Sequence, residues 1–198
     1  PVDGFTGAQS EGAIRALLAH HGIEPPPLSA LEEGLQALEV GRLDVAQRLL
    51  EAALTEEPGN AQAIVGLARV AAARGDVASA RQQLERLPED QKEGPDAASL
   101  RAWIAFNDLI AAGPPPQALQ DMLDKWPDDL EARFRLAIWR LLGGDAEAAI
   151  DALLAIMQKD RKFHDDGARR TLLQVFDYLG KDHPLVRGAR ARMAMLLN

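Results

Sequence analysis

At 198 residues, 47% of them hydrophobic and 26% charged, the chain is long enough to bury one or two cores. A formal net charge of −8 excludes broad nucleic-acid binding, which needs a cationic surface to displace counterions, and no apolar run is long enough to cross a bilayer. The absence of cysteine excludes disulfides, thiol nucleophiles and thiolate metal sites from these residues, and suits a cytoplasmic setting.

Aromatic residues are sparse at 5%, and Ala and Leu dominate the apolar set, the composition of close-packed helices. The opening, PVDGFTGAQSEGAIRALL, stands apart. Pro1 to Phe5 reads as a short strand closing into Gly4 and Gly7, and Ser10 caps a helix with Ile14, Leu17 and Leu18 at helical spacing. A lone strand leaves a row of unpaired N–H and C=O groups, so the rest of its sheet is expected upstream. Residues 23–28, IEPPPL, form a Pro-rich linker.

A repeat follows. LEEGLQALEVGRLDVAQRLLEAALTEEPGN, AIVGLARVAAARGDVASARQQLERLP and ARFRLAIWRLLGGDAEAAIDALLAIM each predict a helix, a Gly-centred turn and a second helix. The turns are Gly41-Arg42, Gly75-Asp76 and Gly144-Asp145, and Ala46, Ala80 and Ala149 each lie five residues past the turn Gly. Gly41 and Gly75 are 34 positions apart, and Gly144 lies 69 further on, close to two more periods. The Gly ends the first helix in a left-handed conformation, and the Ala lets two helices cross at close range. Ser29 with Glu32 predicts a capping box, and Asn60 and Asp128 predict N-caps.

Between these repeats, residues 95–128 read as a degenerate copy with a Pro-rich turn at Gly113–Pro116. Residues 164–198 read as one more helical pair, its second helix starting near Pro184. There Leu185, Ala189, Met193, Leu196 and Leu197 make an apolar stripe, with Arg187, Arg190 and Arg192 elsewhere on the helix. That helix suits either a polar cap on the array or a docking helix. Charge divides accordingly: the stretch from Glu24 to Asn60 is acidic and the stretch from Arg161 onward is basic.

No residues suggest catalysis or a bound cofactor. His20, His21, His164 and His183 have no ligand partner at i, i+4, so no metal site is expected. The adjacent acids Asp128-Asp129 and Asp165-Asp166 suit helix starts, and neither a phosphate loop nor a nucleophile motif occurs. Trp103, Trp126 and Trp139 read as packing residues.

The repeat resembles the tetratricopeptide repeat, whose signature Gly34, Gly41, Ala46, Ala53 and Pro58 match in the first copy. Ala68, Gly75, Asp76 and Ala80 match in the second, and Ala137, Gly144, Asp145 and Ala149 in the last. The expected fold is therefore an all-α helical-hairpin solenoid over 29–198, divided at about 29–60, 61–94, 95–128, 129–163 and a terminal pair 164–198. The resemblance implies a concave groove lined by Leu31, Leu35 and Leu38, then Val65 and Arg69, then Phe134, Ile138 and Leu141. It lacks the Lys and Asn clamp of chaperone-tail-binding members. Mostly apolar, the groove suits an exposed client segment or an internal helix packed into it.

Gly7-Ala8, Ser10 and the helix behind them resemble the C-terminal strand and helix of a thioredoxin domain, so residues 1–22 are expected to be the end of one. A thioredoxin end followed by tetratricopeptide-like hairpins is similar to the YbbN/CnoX family, the bacterial chaperedoxins, as are VDGFTGAQSEGAIRALL and the tail HDDGARRTLLQVFDYLGKDHPLVRGARARMAMLL. The resemblance implies a cytoplasmic co-chaperone that holds unfolding clients and passes them to the chaperonin GroEL or the DnaK system. It implies docking through 184–198, with Leu185, Arg187, Arg190, Arg192, Met193, Leu196 and Leu197 as candidate contacts. Two alternatives stay open: a scaffold for a defined peptide, or the structural tail of a thioredoxin-like oxidoreductase.

Overall fold

Among the described residues, five helices start at a residue whose side chain caps them: Ser29, Asn60, Asp76, Asp129 and Asp145. The computed structural model describes residues 27–197 together with Leu17, His20 and His21. The expected N-terminal strand and most of the helix after Ser10 lie outside the described residues. The described residues form ten α-helices and no strand: α1 (Ala30–Glu39), α2 (Leu43–Glu56), α3 (Ala61–Ala73), α4 (Val77–Glu85), α5 (Pro95–Ala111), α6 (Pro116–Lys125), α7 (Leu130–Leu142), α8 (Ala146–Lys159), α9 (Gly167–Leu179) and α10 (Pro184–Leu197). The all-α hairpin solenoid expected from the repeat is the fold.

Helix α1 opens with the expected capping box. Glu32 N–H donates to Ser29 Oγ at 3.2 Å, and Ser29 N–H donates to Glu32 Oε2 at 2.7 Å. Asn60 caps α3 through Ala63 N–H at 3.0 Å. The expected cap at Asp128 is corrected by one residue: Asp129 accepts from Ala132 N–H at 3.0 Å. Asp128 instead pairs with Lys159 at the end of α8, which lowers its pKa.

Gly41, Gly75 and Gly144 carry φ of 72°, 73° and 90°. Each turn closes with the same two bonds. Arg42 N–H reaches Ala37 O at 2.8 Å and Gly41 N–H reaches Leu38 O at 3.0 Å, and the pattern recurs at Asp76/Gly75 and Asp145/Gly144. Ala46, Ala80 and Ala149, five residues on, are fully buried where the helices cross. A second close approach centres on Leu50. A Cβ on Gly66 would sit 2.8 Å from Leu50 Cδ1, and one on Gly34 would sit 2.9 Å from Leu50 Cγ. The isobutyl group is thus nested between two side-chain-free helix faces, where an added methyl forces repacking.

Two main cores result. Helices α1 to α4 and the first part of α5 share one, around Leu50, Ile64, Leu67 and Leu100. The later part of α5 joins α7, α8, α9 and α10 in the other, around Phe106, Ile138, Leu153, Leu172 and Phe176.

The third repeat departs from expectation. Helices α5 and α6 do not close as a hairpin: α5 packs against α9, and α6 packs against α7. Gly113 is not left-handed, and Pro115, with φ −66° and ψ 160°, leads the chain away extended. The turn that folds the other hairpins back is therefore missing. On α5, Ser99 Oγ donates to Tyr178 O at 3.0 Å and Phe106 meets the Tyr178 ring edge-on at 5.8 Å. The loop into α9 places His164, Asp165 and Asp166 in succession at φ 49°, 52° and 66°. His164 stacks on Phe163 at 4.0 Å, and Arg170 Nη2 donates to its carbonyl at 2.8 Å.

Asp76 and Asp145 cap the second helices of their hairpins, accepting from Ser79 N–H at 2.9 Å and Ala148 N–H at 3.1 Å. Arg42 occupies the equivalent position in nearly the same conformation, φ −82° and ψ 67° against −90° and 69° at Asp145, but supplies no cap. Arg42→Asp should therefore stabilise the protein by about 1 kcal/mol at neutral pH, measured by urea unfolding. The hydrogen bonds from Ser79, first its hydroxyl and then its N–H, lower the Asp76 pKa. A lowered folded-state pKa contributes stability above the unfolded pKa and loses it as pH falls through the folded one. The gain from Arg42→Asp should fade over the same acid range, because protonation removes the charged acceptor.

Candidate functional site

The concave face begins on α1, where Leu31, Leu35 and Leu38 stand at i, i+4 and i+7 and are each half-buried against the first core. Val65 and Arg69 continue it on α3, Val65 half-buried and Arg69 exposed. Leu35, Val65 and Arg69 share a cavity of about 260 Å³ with Gly66, Leu87 and Asp96. Gln62 and Gln91 add amide groups at its wall. Arg69 Nη2 lies 3.7 Å from Asp96 Oδ1, across the gap between α3 and α5. Both side chains are more than half exposed, so this pair adds little stability and remains open to a ligand.

Past that pair the hollow continues. Arg69, Pro95 and Asp96 also line a second cavity of about 570 Å³ that reaches Phe176, Tyr178 and the Gly180–His183 turn after α9. The two cavities adjoin at Arg69, Pro95 and Asp96.

In the fourth repeat the corresponding residues are buried. Phe134, Ile138 and Leu141 are all buried in the second core. The rings of Phe163 and His164 lie 5.5 and 5.8 Å from that of Phe134, and α9 supplies Leu172, Val175 and Phe176 to the same core. The expected role of Ile138 and Leu141 as groove lining is therefore corrected to core packing, while Phe134 still borders a cavity of about 460 Å³ between α5 and the start of α9. Of the two occupants left open by the sequence, this half of the molecule holds an internal helix.

The terminal helix α10 needs a similar correction. Leu185, Met193 and Leu196 are half-buried against the core, beside the buried Val186 and Ala189, so the apolar stripe faces inward and packs on α8. Arg192 Nη1 pairs with Asp151 Oδ1 at 2.6 Å, and the Arg190 guanidinium lies 5.1 Å from the centre of the Phe176 ring. Arg187 and Leu197 stay exposed, Leu197 at 45%. Met195, 70% exposed, was absent from the expected contacts. Helical spacing places it with Arg187, Ala191 and Ala194 opposite the buried stripe, a signal present in the sequence. Trp126, expected to pack, is 60% exposed at the end of α6.

Two family models described as tetratricopeptide repeat match the chain, one over residues 37–104 and the other over 110–198. The chain is a tetratricopeptide-repeat protein. Such an array is a protein-interaction module. No curated protein matches the chain. Among solved structures, a domain of protein VP0806, of unknown function, from Vibrio parahaemolyticus matches at 19% identity, covering 86% of this chain and 99% of that one. The TM-score is 0.40, too low to assign a fold or a function.

The two halves of the concave face should respond differently to charge. Phe134→Glu buries a carboxylate in the second core and should destabilise the tetratricopeptide array by more than about 3 kcal/mol, read as a collapsed urea midpoint. Leu35→Glu can turn its carboxylate into the open cavity and should cost about 1–2 kcal/mol while leaving the helical circular dichroism unchanged.

Proposed function

We propose that this tetratricopeptide chain is the scaffold of a co-chaperone of the chaperedoxin kind, which holds unfolding clients and docks on a GroEL-type chaperonin or the DnaK system. Residues 1–22, as the end of a thioredoxin-like domain, belong to the same reading. The observation that carries it is the two-sided character of α10. One face anchors the helix on α8, and the other offers Arg187, Ala191, Ala194 and Met195 to a partner, with Leu197 at the margin. A cationic and apolar strip at the end of a chain of net charge −8 is suited to an acidic, grooved partner. The likeness of the junction and tail segments to the chaperedoxin family supplies the identity of that partner.

Removing the whole helix is a poor test, because α10 buries Val186 and Ala189 and its loss would bare the second core. Arg187→Glu with Met195→Asp changes only the outer face. The chain should co-elute with purified chaperonin on a sizing column, and the double variant should lose at least about 10-fold in affinity with an unchanged thermal midpoint. Failure of the unaltered chain to co-elute with either chaperonin or DnaK would reject this reading.

The cavity at Leu35, Val65 and Arg69 favours a second reading, a scaffold for a defined peptide. That reading requires a saturable ligand whose binding Leu35→Glu abolishes and the α10 double variant leaves alone.

A further inference from the structure

Helix α6 is held to the rest of the molecule along one side only. Its substantial packing is against α7, whereas α5, its expected hairpin partner, packs with α3, α4, α7 and α9. It buries one residue fully, Leu119, with Met122 and Leu123 half-buried beside it. These three cover Ala132, Leu136 and Trp139, an i, i+4, i+7 strip on α7, in a small cluster that meets the second core only through Trp139. Much of the polar bonding of α6 is internal: Gln117 Nε2 donates to Asp121 and Gln120 Nε2 to Asp124. Arg140 Nη2 reaches across from α7 to Gln120 Oε1, at a long 3.3 Å. Pro115 leads into the helix without a side-chain cap, and the exposed Trp126 ends it. Beneath it, the indole N–H of Trp139 is buried with no hydrogen-bond partner.

Each of these features lowers the cost of opening. Little apolar surface is given up, few bonds break, and water gains access to an indole N–H that has no partner in the closed state. The prolines at 114–116 and Pro127 bracket the helix, so it can leave without unwinding α5 or α7. We infer that α6 is a detachable cover: it opens as a unit while α7 to α10 stay folded, and its departure bares the Ala132–Leu136–Trp139 strip as an apolar face on α7. This inference is independent of the co-chaperone reading.

Hydrogen–deuterium exchange of the intact chain, read by mass spectrometry below the urea unfolding transition, tests it. Peptides within 116–125 should exchange at least about 100-fold faster than those of α7 and α8, at a rate nearly independent of urea. Exchange of α6 at the rate of α8, with the same urea dependence, would overturn the inference. Leu119→Ala provides a second readout. It should speed α6 exchange by about 10-fold or more and leave α8 within about 2-fold. Equal acceleration in α6 and α8 would show α6 to be an integral part of the core, and would likewise overturn it.

Discussion

Two helices joined by a turn of two or three residues can pack at close range only if the turn reverses the chain sharply and nothing bulky stands at the crossing. Gly41, Gly75 and Gly144 meet the first condition with positive φ, and the buried Ala46, Ala80 and Ala149 meet the second. A side chain larger than methyl at those alanines would push the pair apart, and a Cβ at those glycines would strain the reversal. Stacking follows from the close pairs. Leu50 reaches from α2 into the space that Gly34 and Gly66 leave empty, joining the first hairpin to the second. Where the turn chemistry changes, at Gly113 and the three prolines after it, the hairpin does not form.

That one failure reshapes the second half. Freed from α6, α5 takes α9 as a neighbour, through Ser99 and Phe106 against Tyr178, and the chain of the fifth pair is drawn back across the array. Phe134, Ile138 and Leu141 become core, while the equivalent positions on α1 and α3 keep a cavity in front of them. The array therefore holds its own helix at one end and offers a groove at the other. The Arg69–Asp96 pair lies where the two cavities adjoin. The array is thus filled differently along its length: Leu35 and Val65 border a cavity, while Ile138 and Leu141 lie in the core.

The repeat, its caps and its turns were legible because each is local. A Gly-Asp turn, an Ala five residues later and a Ser29–Glu32 box act within one or two helical turns, so their spacing in sequence is their spacing in space. The cap shift from Asp128 to Asp129 is an error of one residue between two equivalent side chains, settled by Lys159, which lies on another helix and draws Asp128 away. The inward stripe of α10 was also legible. Its direction was not, since an apolar stripe looks the same whether it meets α8 or a partner.

By itself, the sequence determined that the chain is helical, where its hairpins turn, which alanines cross and which glycines bend. All of these depend on backbone conformation and side-chain size over a few residues. Only the tertiary structure decided that α5 pairs with α9, that Phe134, Ile138 and Leu141 are buried, and that the apolar stripe of α10 meets α8. These outcomes come from competition among apolar faces far apart in sequence, and hydrophobic burial is non-directional. The face that wins is the one whose partner can be reached once the turns have been made, and that geometry exists only in the folded chain.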